Sequence, residues 1–249
     1  MEHLIEYAVN TIRERYHEPL SLDELAQSAM VSKFHFLRTF RRVTGVTPGR
    51  FLSAVRLQEA KRLLLTTPLN VSDISVQVGY SSTGSFTRRF TESVGCSPTQ
   101  YRQRRRGRAE WSAQRAERAE WTGADSHTST VSGTVVVPDP EVSTVYLGVF
   151  ESPILERCPA VRAVITEPGP FQLTGVPEGT WFIHAVSHGT YPDDVPCPGR
   201  QELLVGTVGP ITIGPDTVLH RNLTLRPLGW SHPPVLLALP DIGEITAAA

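Results

Sequence analysis

Two hydrophobic periods divide the chain. Up to about residue 104 apolar side chains recur every three or four positions, and from Val131 onward every second position. The first period predicts helices and the second strands. Leu4, Ile5, Ala8, Val9, Ile12 and Tyr16 form one helical stripe, which Pro19 ends. Ser21 with Glu24 makes a capping box for a helix from Leu22 to Ser28, with Leu22, Leu25 and Ala26 facing a core. Ala29, Met30 and Val31 form a turn. Ser32 then caps a helix whose Phe36 and Phe40, four apart, share the inner face. After Gly45 and Pro48 a long helix over about residues 49–65 carries Phe51, Leu52, Val55, Leu57, Ala60, Leu63 and Leu64. At 1.5 Å per residue it spans roughly 25 Å. Val71, Ile74 and Val78 predict a short helix and Gly79 a tight turn. Ser81 and Ser82 offer N-cap oxygens for a helix with Phe86 and Phe90 inside. Gly95 stops that helix and Pro98 begins a last short one.

The pattern occurs twice, about fifty residues apart. SKFHFLRTFRRVTGVTPGRF and STGSFTRRFTESVGCSPTQY share S-x-x-x-F-x-x-x-F followed by T/S-x-G-x-[TS]-P. Each copy completes a helix-turn-helix, and the long helix joins them. Two such reading helices can sit about one DNA turn apart, roughly 34 Å, on one face of a duplex. The outer face of the first holds Lys33, Phe34, Leu37, Arg38 and Arg41. That of the second holds Thr83, Gly84, Thr87 and Arg88. An outward Phe and Leu beside cations make sense where the apolar groups meet thymine methyls and the cations meet phosphates or guanine edges. His35 reads instead as a packing or phosphate-side residue.

These residues carry a resemblance to the DNA-binding domain of the AraC/XylS transcription regulators. In the first half the matching positions include Leu22, Leu25, Ala26, Ser32, Phe40, Gly45, Pro48, Arg56, Ala60, Leu63 and Leu64. In the second they include Ile74, Val78, Gly79, Tyr80, Ser85, Phe86, Arg88, Phe90, Gly95, Ser97, Pro98, Tyr101 and Arg102. The resemblance covers about residues 3–104. It implies a sequence-specific DNA-binding regulator that reads bases with Phe34, Leu37 and Arg38 and with Thr83, Gly84, Thr87 and Arg88. Its partners would be double-stranded DNA and RNA polymerase, with a small-molecule effector and a homodimer as further expectations. Lys33, Arg41, Arg42, Arg50, Lys61, Arg89 and Arg102 are the phosphate candidates, supplying affinity and salt dependence without sequence choice. Two positions depart from the family pattern: Ser75 stands where Ala is usual, and Gly84 lies inside the second reading helix.

Charge sharpens this division. The net charge of -1 hides +7 on residues 1–107 (16 Lys/Arg, 9 Asp/Glu) and -8 on residues 122–249 (5 Lys/Arg, 13 Asp/Glu). A basic first half suits a polyanion, and the acidic second half does not. The N-terminus lacks an apolar signal core, and no run approaches the roughly 20 apolar residues of a membrane span. Three scattered cysteines make no disulfide framework. A cytoplasmic protein fits.

The organisation expected is a double helix-turn-helix domain over 1–104, a helical or flexible linker over 105–129, a β-sandwich over 130–240 and a loose tail from 241. RAEW occurs twice in the linker, and Trp111 and Trp121 suit a helix docking on a domain or second chain. The second domain's strands fall at 131–137, 145–149, 161–165, 171–173, 181–185, 203–205, 211–213 and 219–225. They predict an all-β antiparallel sandwich that resembles the transthyretin-like, carboxypeptidase-regulatory type. The apolar run VLLAL near the end reads as an edge strand or a site of pairing with another chain. Trp181, His184, His188 and Tyr191 are candidate ligand contacts for a sugar or other small molecule. An alternative function follows from them, a small-molecule or carbohydrate-binding module with incidental DNA binding. No catalytic set converges, no metal site of usual spacing occurs, and no cofactor motif is present, so an enzyme is not expected.

Overall fold

The computed structural model describes residues 2–103, 128–137, 142–190 and 201–237. The proposed linker helix, with Trp111 and Trp121, lies outside them, as does Tyr191. The described residues separate into two compact units, one holding the helices together with residues 229–237, the other holding the strands.

In the helical unit, α1 (Glu2–Glu14) is followed by α2 (Leu22–Ser28) and α3 (Lys33–Thr44), then α4 (Pro48–Thr66). α5 (Val71–Gln77), α6 (Thr83–Val94) and α7 (Pro98–Gln103) complete it. The starts of α2 to α6 each have a capping side chain. Ser21 and Glu24 form the reciprocal capping box of α2, Ser32 and Ser82 cap α3 and α6, Thr47 caps α4 ahead of Pro48, and Asn70 caps α5. Each cap is worth about 1 kcal/mol. α3 and α6 both end at a glycine in the left-handed region, Gly45 and Gly95.

The duplication holds at atomic detail, with an offset of fifty. Phe36, Phe40 and Phe51 pack tilted and then edge to face at 5.6 and 5.7 Å, and Phe86, Phe90 and Tyr101 repeat that packing at 5.6 and 5.7 Å. All six rings are buried. The copies part company at the turn. Both short helices close with the same pair of backbone bonds, Met30 N–H to Gln27 and Val31 N–H to Ala26 in the first, Gly79 N–H to Val76 and Tyr80 N–H to Ser75 in the second. This offset is forty-nine, so the second copy has one extra residue before its reading helix. Gly79 takes φ +85, and a Cβ there would sit 2.7 Å from the His17 carbonyl oxygen. Its counterpart, Met30, adopts φ 52 despite its side chain and is 87% exposed.

Arg56, midway along α4, ties these parts together. Its Nε donates to the Tyr16 carbonyl at 2.7 Å and its Nη2 to the Glu18 carbonyl at 2.8 Å, just beyond α1. Its guanidinium lies 5.8 Å from the Tyr80 ring centroid and borders Gly79. Burial pulls the Arg56 guanidinium below its ordinary pKa.

The C-terminal segment departs from expectation. Val235, Leu236 and Leu237 are buried, but within the helical unit and outside any strand. Arg13 of α1 donates to the Trp230 carbonyl at 3.1 Å, and Lys61 of α4 donates to the Val235 carbonyl at 3.1 Å. VLLAL therefore is not an edge strand over its described residues. The segment over 229–237 is irregular chain, two of whose carbonyls accept from Arg13 and Lys61 on helices. The 130–240 domain boundary moves accordingly to about residue 228.

The β-rich unit holds two sheets among the described residues. In one, β1 (Thr130–Val136) lies between β4 (Pro170–Thr174) and β7 (Val218–His220), and β8 (Leu223–Thr224) also pairs with β1. In the other the order is β3 (Val161–Ile165), β2 (Val142–Phe150), β5 (Gly179–Thr190), β6 (Gln201–Ile213) and β9 (Arg226–Pro227). One apolar core joins them, with Val131, Val135, Phe171, Leu173 and Leu223 from the first and Val145, Leu147, Val149, Ile183 and Ile211 from the second. Two expectations need correction. β1 pairs with β7 and β8 in parallel, so the unit is not wholly antiparallel. Residues 203–205 and 211–213 belong to one strand, β6, because its pairing with β5 runs on through an irregularity opposite Trp181 and Ile183.

Replacing Arg56 by Met is expected to destabilise the helical unit by about 2–3 kcal/mol, since two carbonyls lose their donor. Chemical denaturation followed by far-UV circular dichroism measures it, and a loss under about 0.5 kcal/mol, ordinary for a surface change, would refute the assignment.

Candidate nucleic-acid interface

α3 and α6 present their outer faces from the same frame. Ser32 and Ser82 fix the first turn of each, and the buried rings at 36/40 and 86/90 set the rotation about the helix axis. Consequently position 38 matches 88, 37 matches 87 and 34 matches 84. Arg38, Arg88 and Gly84 are exposed, and Leu37, Thr83 and Thr87 are half-buried. Phe34 is 84% exposed. A ring that large in water forgoes about 1.5–3 kcal/mol of burial, which makes it the costliest outward side chain of the first reading helix. No heavy atom lies within 4 Å of a Cβ built on Gly84, so nothing inside the fold demands glycine there. His35 is half-buried and lines a shallow hollow with Leu4, Ile5, Val31 and Phe36, which agrees with a packing role.

The phosphate candidates divide. Arg41 and Arg42 are exposed at the end of α3, and Arg50 and Arg89 are half-buried on α4 and α6. Arg89 Nε donates to the Ser53 hydroxyl at 3.4 Å. Lys33 pairs with Asp23 at 2.8 Å, both largely exposed, a contact weak enough to exchange for a phosphate. Two candidates are corrected. Lys61 is only 3% exposed, its ammonium donating to Val235 and lying 5.8 Å from the Tyr101 ring centroid. An ammonium so enclosed cannot reach a phosphate. Arg102 is half-buried and turned inward, its Nε donating to the Leu64 carbonyl at 3.3 Å and its Nη2 to the Leu69 carbonyl. It closes the end of α4 over α7.

One feature was missed. Ser75, the small-residue departure noted above, is wholly buried on α5, and its hydroxyl donates to the Ser72 carbonyl at 2.7 Å. Thr83 of α6 sits 3.2 Å from the Ser75 hydroxyl and 3.0 Å from that of Ser72. The signal was the hydroxyl itself at a helix contact where a methyl suffices.

Of the ligand candidates of the β-rich unit, the side chains of His184 and Trp181 lie among the described residues. His184 is 2% exposed, with Nε2 2.9 Å from the Ser152 carbonyl and Nδ1 2.9 Å from the Thr207 hydroxyl. The carbonyl can only accept, so Nε2 carries the proton and Thr207 donates to Nδ1. Both ring nitrogens are thereby engaged inside the fold. Burial lowers the His184 pKa to about 4, opposed in part by the Ser152 hydrogen bond. Trp181 is half-buried against the core and its Nε1 donates to the Pro177 carbonyl at 2.8 Å, so it is core filler. For His188 the structure gives only its place in β5, opposite Leu203. Among the described residues no group of three or more His, Cys, Asp and Glu could hold a metal.

His184 generates a pH prediction. The unfolded imidazole titrates near 6.5 and the folded one near 4. Only the unfolded chain takes up the proton between those values, so stability is complete above pH 6.5 and falls as pH drops towards 4. The loss is roughly 3 kcal/mol at about 1.4 per unit. Denaturant titrations from pH 7 to 4 should show it, and His184→Gln should flatten the slope. Equal slopes would sink the claim.

Residues 25–104 match a family model described as a helix-turn-helix domain. The chain is 40% identical over 83 residues to the transcriptional activator AarP of Providencia stuartii, covering 33% of this chain and 62% of that one. It is 32% identical over 98 residues to a lactose operon transcription activator of Staphylococcus xylosus, covering 39% of this chain and 35% of that one. Among solved structures, the DNA-binding domain of AdpA in complex with a target DNA is 31% identical, with a TM-score of 0.40 over 41% of this chain and 95% of that one. The chain thus spans less than two thirds of the length of these curated relatives. Residues 25–104 are an AraC-type helix-turn-helix DNA-binding domain.

Proposed function

We propose that the chain is a sequence-specific transcription regulator that lays α3 and α6 in successive major grooves of one duplex. The observation that carries this reading is the fifty-residue register of two capped helices, each with an exposed arginine at the same position, 38 and 88, fixed to one nineteen-residue rod. The rod is roughly 28 Å long, close to one turn of B-DNA. Arg38 and Arg88 would take guanine edges, Phe34 and Leu37 thymine methyls, and Thr83 and Thr87 further base edges. Lys33, Arg41, Arg42, Arg50 and Arg89 would contact phosphates. AdpA binds DNA through the matching domain, and the basic charge of residues 1–107 supports the same use here.

The β-rich unit, read as a sandwich of the transthyretin-like kind, would modulate DNA binding or assembly. The segment over 229–237, held by Arg13 and Lys61, supports a mechanical link to the reader. RNA polymerase, a small effector and a second copy of the chain are the partners this role calls for. No reacting group is needed, and a non-enzymatic, cytoplasmic regulator accounts for the features described.

Footprinting and competition binding test the reading. Arg38→Ala and Arg88→Ala should each cost about 1–3 kcal/mol on the selected site if bidentate to a base. Arg38→Ala should cost more specificity, because Gly84 leaves the second helix a thinner reading face. Unchanged protection with both variants would overturn it. Gly84→Ala should raise thermal stability by about 1 kcal/mol, as the helix gains a residue that fits open space. The same methyl should weaken DNA binding if the backbone at 84 approaches the groove, and unaltered affinity would exclude that approach.

A further inference from the structure

The hydroxyls of Ser72, Ser75 and Thr83 form a closed ring with one peptide carbonyl. Ser75 has one hydroxyl proton, and it goes to the Ser72 carbonyl at 2.7 Å, an atom that can only accept. In the 3.2 Å contact between Ser75 and Thr83, Ser75 therefore accepts and Thr83 donates. The proton of Thr83 being spent, the 3.0 Å contact with Ser72 has Ser72 as donor. The ring runs from the Ser72 hydroxyl to Thr83, from Thr83 to Ser75, and from Ser75 back to the Ser72 carbonyl. Ser75 is fully buried, so water does not compete for its lone pair. Thr83 stands at the first position of α6 and is half-buried, and it is left with one unfilled acceptor site and its γ-methyl.

Resting on the proposal that α6 enters a major groove, we propose that Ser75 is a positioning residue that turns Thr83 into an acceptor-only reader. A hydroxyl free to rotate answers either a donor or an acceptor on a base. This one answers only a donor. In the major groove the base-edge donors are the amino groups of adenine N6 and cytosine N4, whereas guanine offers N7 and O6 acceptors and thymine an O4 acceptor with a methyl. Thr83 therefore favours an adenine or cytosine edge at the base it faces and disfavours guanine.

The two neighbours act in opposite senses. Removing the Ser75 hydroxyl frees the Thr83 proton to donate, and guanine becomes acceptable. Removing the Ser72 hydroxyl leaves Thr83 still donating to Ser75, with a second acceptor site vacated, and the preference for amino groups stays.

The test is selection of bound duplexes from a randomised pool by the full chain, followed by competition binding, for wild type, Ser75→Ala, Ser72→Ala and Thr83→Val. Ser75→Ala is subtractive in a helix and Ser72 is exposed, and thermal melts verify that all four proteins fold. The expected result is a wild-type preference for adenine or cytosine at one base position. Ser75→Ala should cut it about fivefold, the weight of one neutral hydrogen bond, while Ser72→Ala keeps it and Thr83→Val abolishes it. A Ser75→Ala profile identical to wild type, with Thr83→Val still altering that base, overturns the role of Ser75 alone. A Thr83→Val profile identical to wild type overturns Thr83 as a reader. Failure of the wild type to select any sequence overturns the regulator reading beneath it.

Discussion

A half-buried guanidinium governs the geometry of the helical unit. Arg56 gives up water on α4 and is repaid by two carbonyls beyond α1 and by the face of Tyr80. Those contacts fix three things at once: where the chain turns after the first helix, how the rod is rotated, and where the turn before α6 lies. Gly79 is the complement of this arrangement, since its missing side chain is what lets His17 and Arg56 approach. An arginine suits the position because its planar fork can address two acceptors from one rigid group.

On this frame the two copies are alike inside and different outside. The ring contacts and glycine stops repeat position for position, because each must bury the same surface and end the same helix. The outward positions are released from that demand. Phe34 faces Gly84 across the repeat, Leu37 faces Thr87 and Lys33 faces Thr83. Only the arginines at 38 and 88 are held in common. Under the proposed function, such a division would let one duplicated scaffold read two different half-sites.

Much of this was legible in the sequence. The caps at Ser21, Ser32 and Ser82, the stops at Gly45 and Gly95 and the paired phenylalanines are local chemistry, and local chemistry is printed along the chain. The burial of Lys61 is legible in the sequence too, although its charge points to a phosphate. It lies four residues after Leu57 and three before Leu64, on the buried side of α4, and the period outweighs the ammonium. The parallel pairing of β1 with β7 and the placement of residues 229–237 were not legible. Alternation states that a strand has an inside, not which strand lies beside it. An apolar run near the end of a chain says it will be covered without saying by what. His184 shows the same limit, for only tertiary contact reveals that both its nitrogens are engaged within the fold.

The segment over 229–237 makes the helical unit discontinuous in sequence. Its chain leaves after α7 and returns only once the strands have been made. During synthesis the guanidinium of Arg13 and the ammonium of Lys61 wait for carbonyl acceptors produced more than a hundred positions later. The helical unit is therefore closed only after the strands of the β-rich unit have been made. A chain broken off within the β-rich unit would lack the carbonyls at 230 and 235 that Arg13 and Lys61 meet in the folded chain.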